Sequence, residues 1–127
     1  MTHARLEHVN ITVSDPDATA RWMEDVFGWK IRWQGDAING GRTLHVGTEA
    51  QYVAIYDPKK PLTDGHNSYT QKGGLNHIAV TVDDLDAIEA KVDKLGFETH
   101  SHADYEPGRR FYFYDGDRIE YEVVSYS

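Results

Sequence analysis

The chain contains no cysteine. That removes disulfides, thiolate nucleophiles, sulfur-ligated zinc and iron–sulfur clusters. A metal, if there is one, must be held by imidazole, carboxylate or other oxygen ligands. Basic residues are also scarce: 13 Lys and Arg stand against 21 Asp and Glu, a net charge of −8. A nucleic acid or an anionic membrane surface needs a basic face, so neither is an expected partner. No apolar run approaches the ~20 residues that span a bilayer. The opening residues, MTHARLEHV, lack the pattern of a signal peptide. The cytoplasm is therefore the expected compartment.

What is present is a repeat. The stretch LEHVNITVSD, from Leu6 to Asp15, returns 69 residues later as LNHIAVTVDD, from Leu75 to Asp84. Leu6 meets Leu75, His8 meets His77, Ile11 meets Val80, Thr12 meets Thr81 and Asp15 meets Asp84. The correspondence runs on through Asp17 and Asp86 into a helical pattern in both copies. A repeat of this length decides the architecture before any local signal does.

In the first copy Asp15 is suited to cap a helix and Pro16 to begin it. Ala18, Trp22 and Val26 recur at helical spacing, and Gly28 suits the residue past the end. In the second, Asp83 or Asp84 caps, Leu85, Ile88, Val92 and Leu95 form the apolar stripe, and Gly96 closes. Asp15, Asp17 and Asp84 thus read as helix-start residues, not as catalytic acids. Short β-type runs follow each helix: WKIRWQ, RTLHVG and QYVAIYD, then FETHSH, RRFYFY and RIEYEVV. An Asp115-Gly116 turn is expected to join the last two. Each copy reads β-α-β-β-β. The expectation is a single 127-residue α+β domain of two βαβββ modules, about 4–57 and 74–126, joined by a polar linker at 58–73.

Strand side chains alternate between faces. Val9, Ile11 and Val13 oppose His8, Asn10 and Thr12; Ile78, Val80 and Val82 oppose His77, Ala79 and Thr81. The aliphatic faces belong under the helices, which turns both histidines the other way. In the last strand Arg118, Glu120 and Glu122 share one face and Ile119, Tyr121 and Val123 the other. Two histidines and a glutamate on such faces form a candidate site for a divalent metal with open positions. The alternative is that the two histidines are packing residues left by duplication.

These residues resemble a known pattern. LEHVNITVSDPDATARWMEDVFGW, LNHIAVTVDDLDAIEAKVDKLGF and the ending FYFYDGDRIEYEV are similar to the vicinal oxygen chelate superfamily, which includes glyoxalase I, extradiol dioxygenases and bleomycin-resistance proteins. The ending lacks the proline of the family's turn signature. The resemblance covers nearly the whole chain. It implies paired βαβββ modules forming a curved mixed sheet around a central cavity. It further implies a homodimer and a metal held by His8, His77 and Glu120, with Glu122 as the alternative carboxylate. Fe(II) or Mn(II) is favoured, with Zn(II) or Ni(II) as substitutes. The shared chemistry is chelation of two adjacent oxygens of a small substrate.

The branch is set by further residues. Glyoxalases and epimerases place a fourth ligand on the last strand of the first module, where Tyr52, Ala54 and Tyr56 face the site and Gln51 is out of phase. A three-ligand set resembles the extradiol dioxygenases and the fosfomycin-resistance proteins; the latter carry a polar loop before the last strand that HADYEPGRRFYF does not reproduce, and the former add a tyrosine ten residues before the glutamate. Arg110 stands there, with Tyr112 two residues on. An extradiol-dioxygenase-like enzyme is the leading expectation. A glyoxalase- or epimerase-like isomerase or lyase is second. A metal-free, bleomycin-resistance-like binding protein is third. Tyr112, His102, His45 and His100 are the candidates for proton transfer. Arg110, Tyr52 and Trp33 are those for substrate binding, while Trp22 belongs to the core. Arg109 could join Arg110 as a clamp on a carboxylate or phosphate. His66 lies in the linker, as a lid residue or simply a solvated one.

Overall fold

The computed structural model describes residues 2–65, 67–105 and 108–127. His66 lies outside the described residues. The chain divides into two compact units, Met1–Leu62 and Thr63–Ser127. The division falls inside the polar segment 58–73. Among the described residues no helix is long and apolar enough to cross a membrane.

The first unit contains β1 (His8–Thr12), α1 (Pro16–Phe27), β2 (Lys30–Asp36), β3 (Arg42–Gly47) and β4 (Tyr52–Asp57). Its sheet has the order β1-β4-β3-β2, with β1 parallel to β4 and the other pairs antiparallel. Asp15 caps α1 by accepting from the Ala18 N–H at 3.1 Å, and Gly28 ends it with a left-handed φ of 72°. That conformation is costly for residues with a Cβ, which is why glycine stands there. Asp17, in the first turn, pairs with Arg42 at 2.8 Å. The buried stripe of α1 is Thr19, Ala20, Trp22, Met23 and Val26. Ala18 is only half-buried, so the stripe lies to one side of the expected one. It sits with Ile11, Leu44, Val46, Val53 and Ile55, all buried. Burying one such side chain contributes about 1.5–3 kcal/mol, so this aliphatic row decides which face the helix covers.

The second unit repeats the plan with β5 (Ile78–Thr81), α2 (Leu85–Lys94), β6 (Thr99–Tyr105), β7 (Gly108–Tyr114) and β8 (Glu120–Ser125), in the order β5-β8-β7-β6. Asp84 is the cap, accepting from the Ala87 N–H. Leu85 and Val92 are buried, Ile88 is half-buried and Leu95 is exposed. The helix-side row is aromatic here: Phe111, Phe113 and Tyr121 have no exposed surface, and Phe113 and Tyr121 stack at 5.2 Å.

Two expectations need correction. The expected turn at Asp115-Gly116 does join β7 and β8, with the Arg118 N–H donating to the Asp115 carbonyl at 3.1 Å, but it lies in a five-residue loop, Asp115–Ile119, and not in a two-residue hairpin. The Asp115 carboxylate accepts from the N–H groups of Asp117 and Ile119, and Arg118, not Gly116, takes the positive φ. Arg118 consequently leaves the strand, and β8 begins at Glu120.

Among the described residues the fourth-position strand of each sheet carries a β-bulge. In β2 it falls between Ile31 and Trp33, and in β6 between His100 and Ala103. Ser101, inside the second bulge, has φ of 56°. An inserted residue reverses the alternation beyond it. His100 therefore pairs with Tyr112 on the face away from α2, whereas His102 stacks on Phe111 and reaches Glu89 of α2.

Candidate functional site

On the first sheet, the face opposite α1 carries His8, His45, Tyr52 and Trp33. The parallel register sets His8 beside Tyr52, and the antiparallel pairs set Trp33 beside His45 and His45 beside Ala54. The rings form a ladder. Trp33 to His45 is 4.9 Å, His45 to Tyr52 is 4.3 Å and Tyr52 to His8 is 4.8 Å between centroids. The Arg32 guanidinium lies 4.7 Å over the Tyr52 ring. Trp33 is 50% exposed, an open apolar edge to this ladder. Burial, with the positive groups of His8 and Arg32 nearby, lowers the His45 pKa and favours its neutral form. His8 Nδ1 lies 2.9 Å from Glu7 Oε1. Tyr52, Ala54 and Tyr56 lie in register with His8, Asn10 and Thr12, so this part of β4 presents no carboxylate.

On the second sheet, the corresponding face gathers His77, Glu120, Glu122, Arg110, Tyr112 and His100. Two carboxylates two apart on β8 share one face by the period of the strand. They are 6% and 7% exposed, so this face is a polar recess and not a solvated edge. Glu122 is occupied on both sides. Its Oε2 accepts from Arg110 Nη1 at 2.9 Å, and its Oε1 lies 3.1 Å from His77 Nε2. Glu120 is approached by His100 Nε2 at 3.3 Å and His77 Nδ1 at 4.0 Å. Those two ring nitrogens are buried and make no hydrogen bond. Tyr112 packs edge-on to His77 at 5.5 Å. Burial first, and Glu122 second, raise the Tyr112 pKa.

One member of this recess has no counterpart in the sequence reading. The Tyr69 hydroxyl donates to Glu120 Oε1. This bond, together with burial, pushes the Tyr69 pKa up to about 12. Tyr69 is held by a built turn. Its N–H donates to the Asn67 side chain, Asn76 donates to the Ser68 carbonyl, and a Cβ on Gly74 would stand 2.4 Å from the Ser68 oxygen. The signals were Asn67 and the Gly73-Gly74 pair, both turn formers in a segment read only as a linker.

The remaining expected residues are placed as follows. His102 is on the helix side of its sheet. Arg109 pairs with Asp86 at 2.6 Å and Arg110 with Glu122, so each clamp arginine already holds a carboxylate of its own unit. A separate cavity of about 350 Å³ lies at the start of α2, lined by Asp83 to Asp86, Arg109, Ser125 and Ser127, away from the histidines.

Among the described residues no three histidine, aspartate or glutamate side chains are arranged to hold a metal ion as they stand. The donor chemistry of the recess nevertheless suits one. Two imidazole nitrogens without partners face one buried carboxylate, and leaving such polar atoms unpaired costs about 1–3 kcal/mol each.

Residues 5–123 match the sequence model of the Glyoxalase/Bleomycin resistance protein/Dioxygenase superfamily. The chain has no match among curated proteins. Among solved structures it is similar to a glyoxylase/bleomycin resistance protein/dioxygenase domain from Frankia sp. EAN1pec. That likeness has a TM-score of 0.83 and 23% identity over 98% of this chain and 93% of the other. It is similar to the fosfomycin resistance protein FosX from Listeria monocytogenes, complexed with Mn(II) and sulfate. The TM-score is 0.72 and the identity 18%, over 98% and 93% of the two chains. A third likeness is TnmS3, an antibiotic binding protein from Streptomyces sp. CB03234, with TM-score 0.71 and 18% identity over 100% and 99%. At such identities the structures speak for the fold, and the sequence model for descent: the chain belongs to the Glyoxalase/Bleomycin resistance protein/Dioxygenase superfamily.

Proposed function

We propose that the protein is a metal-dependent enzyme, extradiol-dioxygenase-like, acting on a small substrate with two adjacent oxygens, such as a catechol or an α-hydroxy ketone. One observation carries this reading: the buried, unpartnered nitrogens of His77 and His100 turned toward the Glu120 carboxylate. By the resemblance, His8, His77 and Glu120 are the protein ligands. Glu120 is preferred to Glu122 because Arg110 already neutralises the latter. Fe(II) or Mn(II) is favoured over Zn(II) or Ni(II), and the Mn(II) complex of FosX supports a divalent metal in this fold. The metal would supply Lewis acidity and a template for the two substrate oxygens.

The chain's own residues divide the remaining work. Tyr112 and His100 stand beside His77 and are placed for proton transfer. His45, kept neutral, is a further base. Trp33 and Tyr52 offer flat surfaces to an aromatic substrate. His102, on the other face, takes no part. The isomerase reading is weaker because the β4 positions in register with His8, Asn10 and Thr12 carry no carboxylate for a fourth ligand. The metal-free binding reading draws on one observation, the aromatic ladder from Trp33 to His8, and on the similar fold of an antibiotic binding protein. We expect the protein to work in the cytoplasm as a homodimer.

Protein reconstituted anaerobically with Fe(II) or Mn(II), then given catechols and O₂, should consume O₂ and yield ring-cleaved product. Turnover of a hemithioacetal without O₂, and none of any catechol, would overturn the dioxygenase assignment.

A further inference from the structure

We propose that Arg118 is a specificity-determining residue, the binding point for a carboxylate of the substrate. The substrate is then a planar ring that bears an acid group besides its two adjacent oxygens. The two oxygens rest on the metal-dependent reading above; the preference for an acid does not.

The first observation is the backbone. Arg118 has φ of 65°, in the left-handed region that a residue with a Cβ enters at a cost. Gly116, in the same loop, does not take that conformation. The loop imposes it on Arg118. The buried Asp115 carboxylate accepts from the N–H groups on either side of it, Asp117 and Ile119, each at 2.9 Å. The Arg118 N–H donates to the Asp115 carbonyl at 3.1 Å. Backbone strain held in place by its surroundings is a mark of binding sites.

The second observation is the guanidinium. It lies 4.3 Å over the Tyr114 ring, and Tyr114 stacks on His100 at 4.9 Å. His100 Nε2 is 3.3 Å from Glu120. The cation therefore stands beside a row of half-buried flat rings that leads into the recess. Arg42, Arg109 and Arg110 each hold a carboxylate of their own unit. Among the described residues the Arg118 guanidinium has no ion pair and no hydrogen bond. Contact through its face leaves the N–H fork in its plane free, and that fork matches a carboxylate. Arg32, over Tyr52 in the first unit, is likewise without an ion pair among the described residues, but its backbone is not left-handed.

Arg118→Gly is the decisive variant. Glycine takes the left-handed φ without strain, so the loop persists and the cation alone is lost. Arg118→Lys keeps the charge but not the fork.

The probes are 3,4-dihydroxybenzoate and its neutral amide, 3,4-dihydroxybenzamide, titrated calorimetrically into metal-free and Mn(II)-loaded protein. The parent should bind the acid about tenfold more tightly than the amide, because the pair is charge-assisted but exposed to solvent. Arg118→Gly should bind both probes alike, with the parent's affinity for the amide. Arg118→Lys should keep a preference of about threefold. Equal binding of the two probes by the parent, no binding of the acid, or an undiminished preference in Arg118→Gly overturns the proposal. The effect of Mn(II) is read separately, as a gain in affinity for both probes in the parent and in Arg118→Gly. If Mn(II) strengthened neither, the metal-dependent reading would fall, while a preference lost in Arg118→Gly would still assign the carboxylate to Arg118.

Discussion

The Tyr69 hydroxyl donates to the Glu120 carboxylate, so a segment before β5 is tied to the polar recess of the second sheet. The same oxygen is the one nearest His77 Nδ1. A cation drawn to Glu120 must compete with that bond.

Tyr69→Phe should therefore strengthen divalent metal binding. A hydrogen bond to a charged group is worth about 1.5–3 kcal/mol, and Tyr69 is 58% exposed, so we expect a smaller gain, roughly fivefold. Calorimetric titration of the two proteins with Mn(II) checks this, and equal or weaker binding by the variant would count against the competition.

Gly74→Ala should act at a distance in the same direction. The added Cβ would meet the Ser68 carbonyl at 2.4 Å, and the turn that carries Tyr69 must shift. The expected signs are a stability loss of about 1–2 kcal/mol in urea unfolding and a Mn(II) affinity resembling that of Tyr69→Phe. Parent-like affinity would mean that the turn does not hold Tyr69 in place.

His100 and His102 should behave differently although they are two residues apart. His100→Ala removes a ring beside Glu120, and Mn(II) affinity should change severalfold. His102→Ala removes a ring that packs on Phe111 and reaches Glu89, and affinity should stay within about twofold. Equal effects would place both rings on one face and contradict the bulge.

Asp115 should leave a mark on the pH dependence of stability. Burial raises its pKa above the ordinary 3.8, against the lowering by the Ile119 and Asp117 N–H groups. As pH rises from below the ordinary value through the raised one, the unfolded chain releases the Asp115 proton first. The folded state then binds more protons, so this group's contribution falls with rising pH and is level above the window. Asp115→Asn should remove that slope, seen as a stability difference from the parent that changes across mildly acid pH and is constant near neutrality. A difference that does not vary with pH would show that Asp115 titrates alike in both states.

Much of the fold was legible because it was written twice. The offset of 69 that aligns His8 with His77 also places β2, Lys30–Asp36, over β6, Thr99–Tyr105. Caps at Asp15 and Asp84, and the alternation of β1 and β8, fixed which side chains lie under the helices. What escaped were departures from regular alternation. Ser101 has no chemistry that announces a left-handed residue, so the bulge separating His100 from His102 left no trace. Asp115-Gly116 is a strong turn signal, but a buried carboxylate that can accept two N–H groups favoured a longer loop. Tyr69 was hidden because its partner, Glu120, is 51 residues away and only the fold brings them together.

The central claim is that His77 and Glu120 belong to a metal site. Elemental analysis of untagged protein prepared without oxygen, beside His77→Ala and with circular dichroism to establish that the variant is folded, tests it most directly. The account predicts about one equivalent of iron or manganese per chain in the parent and almost none in the folded variant. A full equivalent retained by His77→Ala, or no metal bound by the parent even when Fe(II) and Mn(II) are offered in excess, would contradict it.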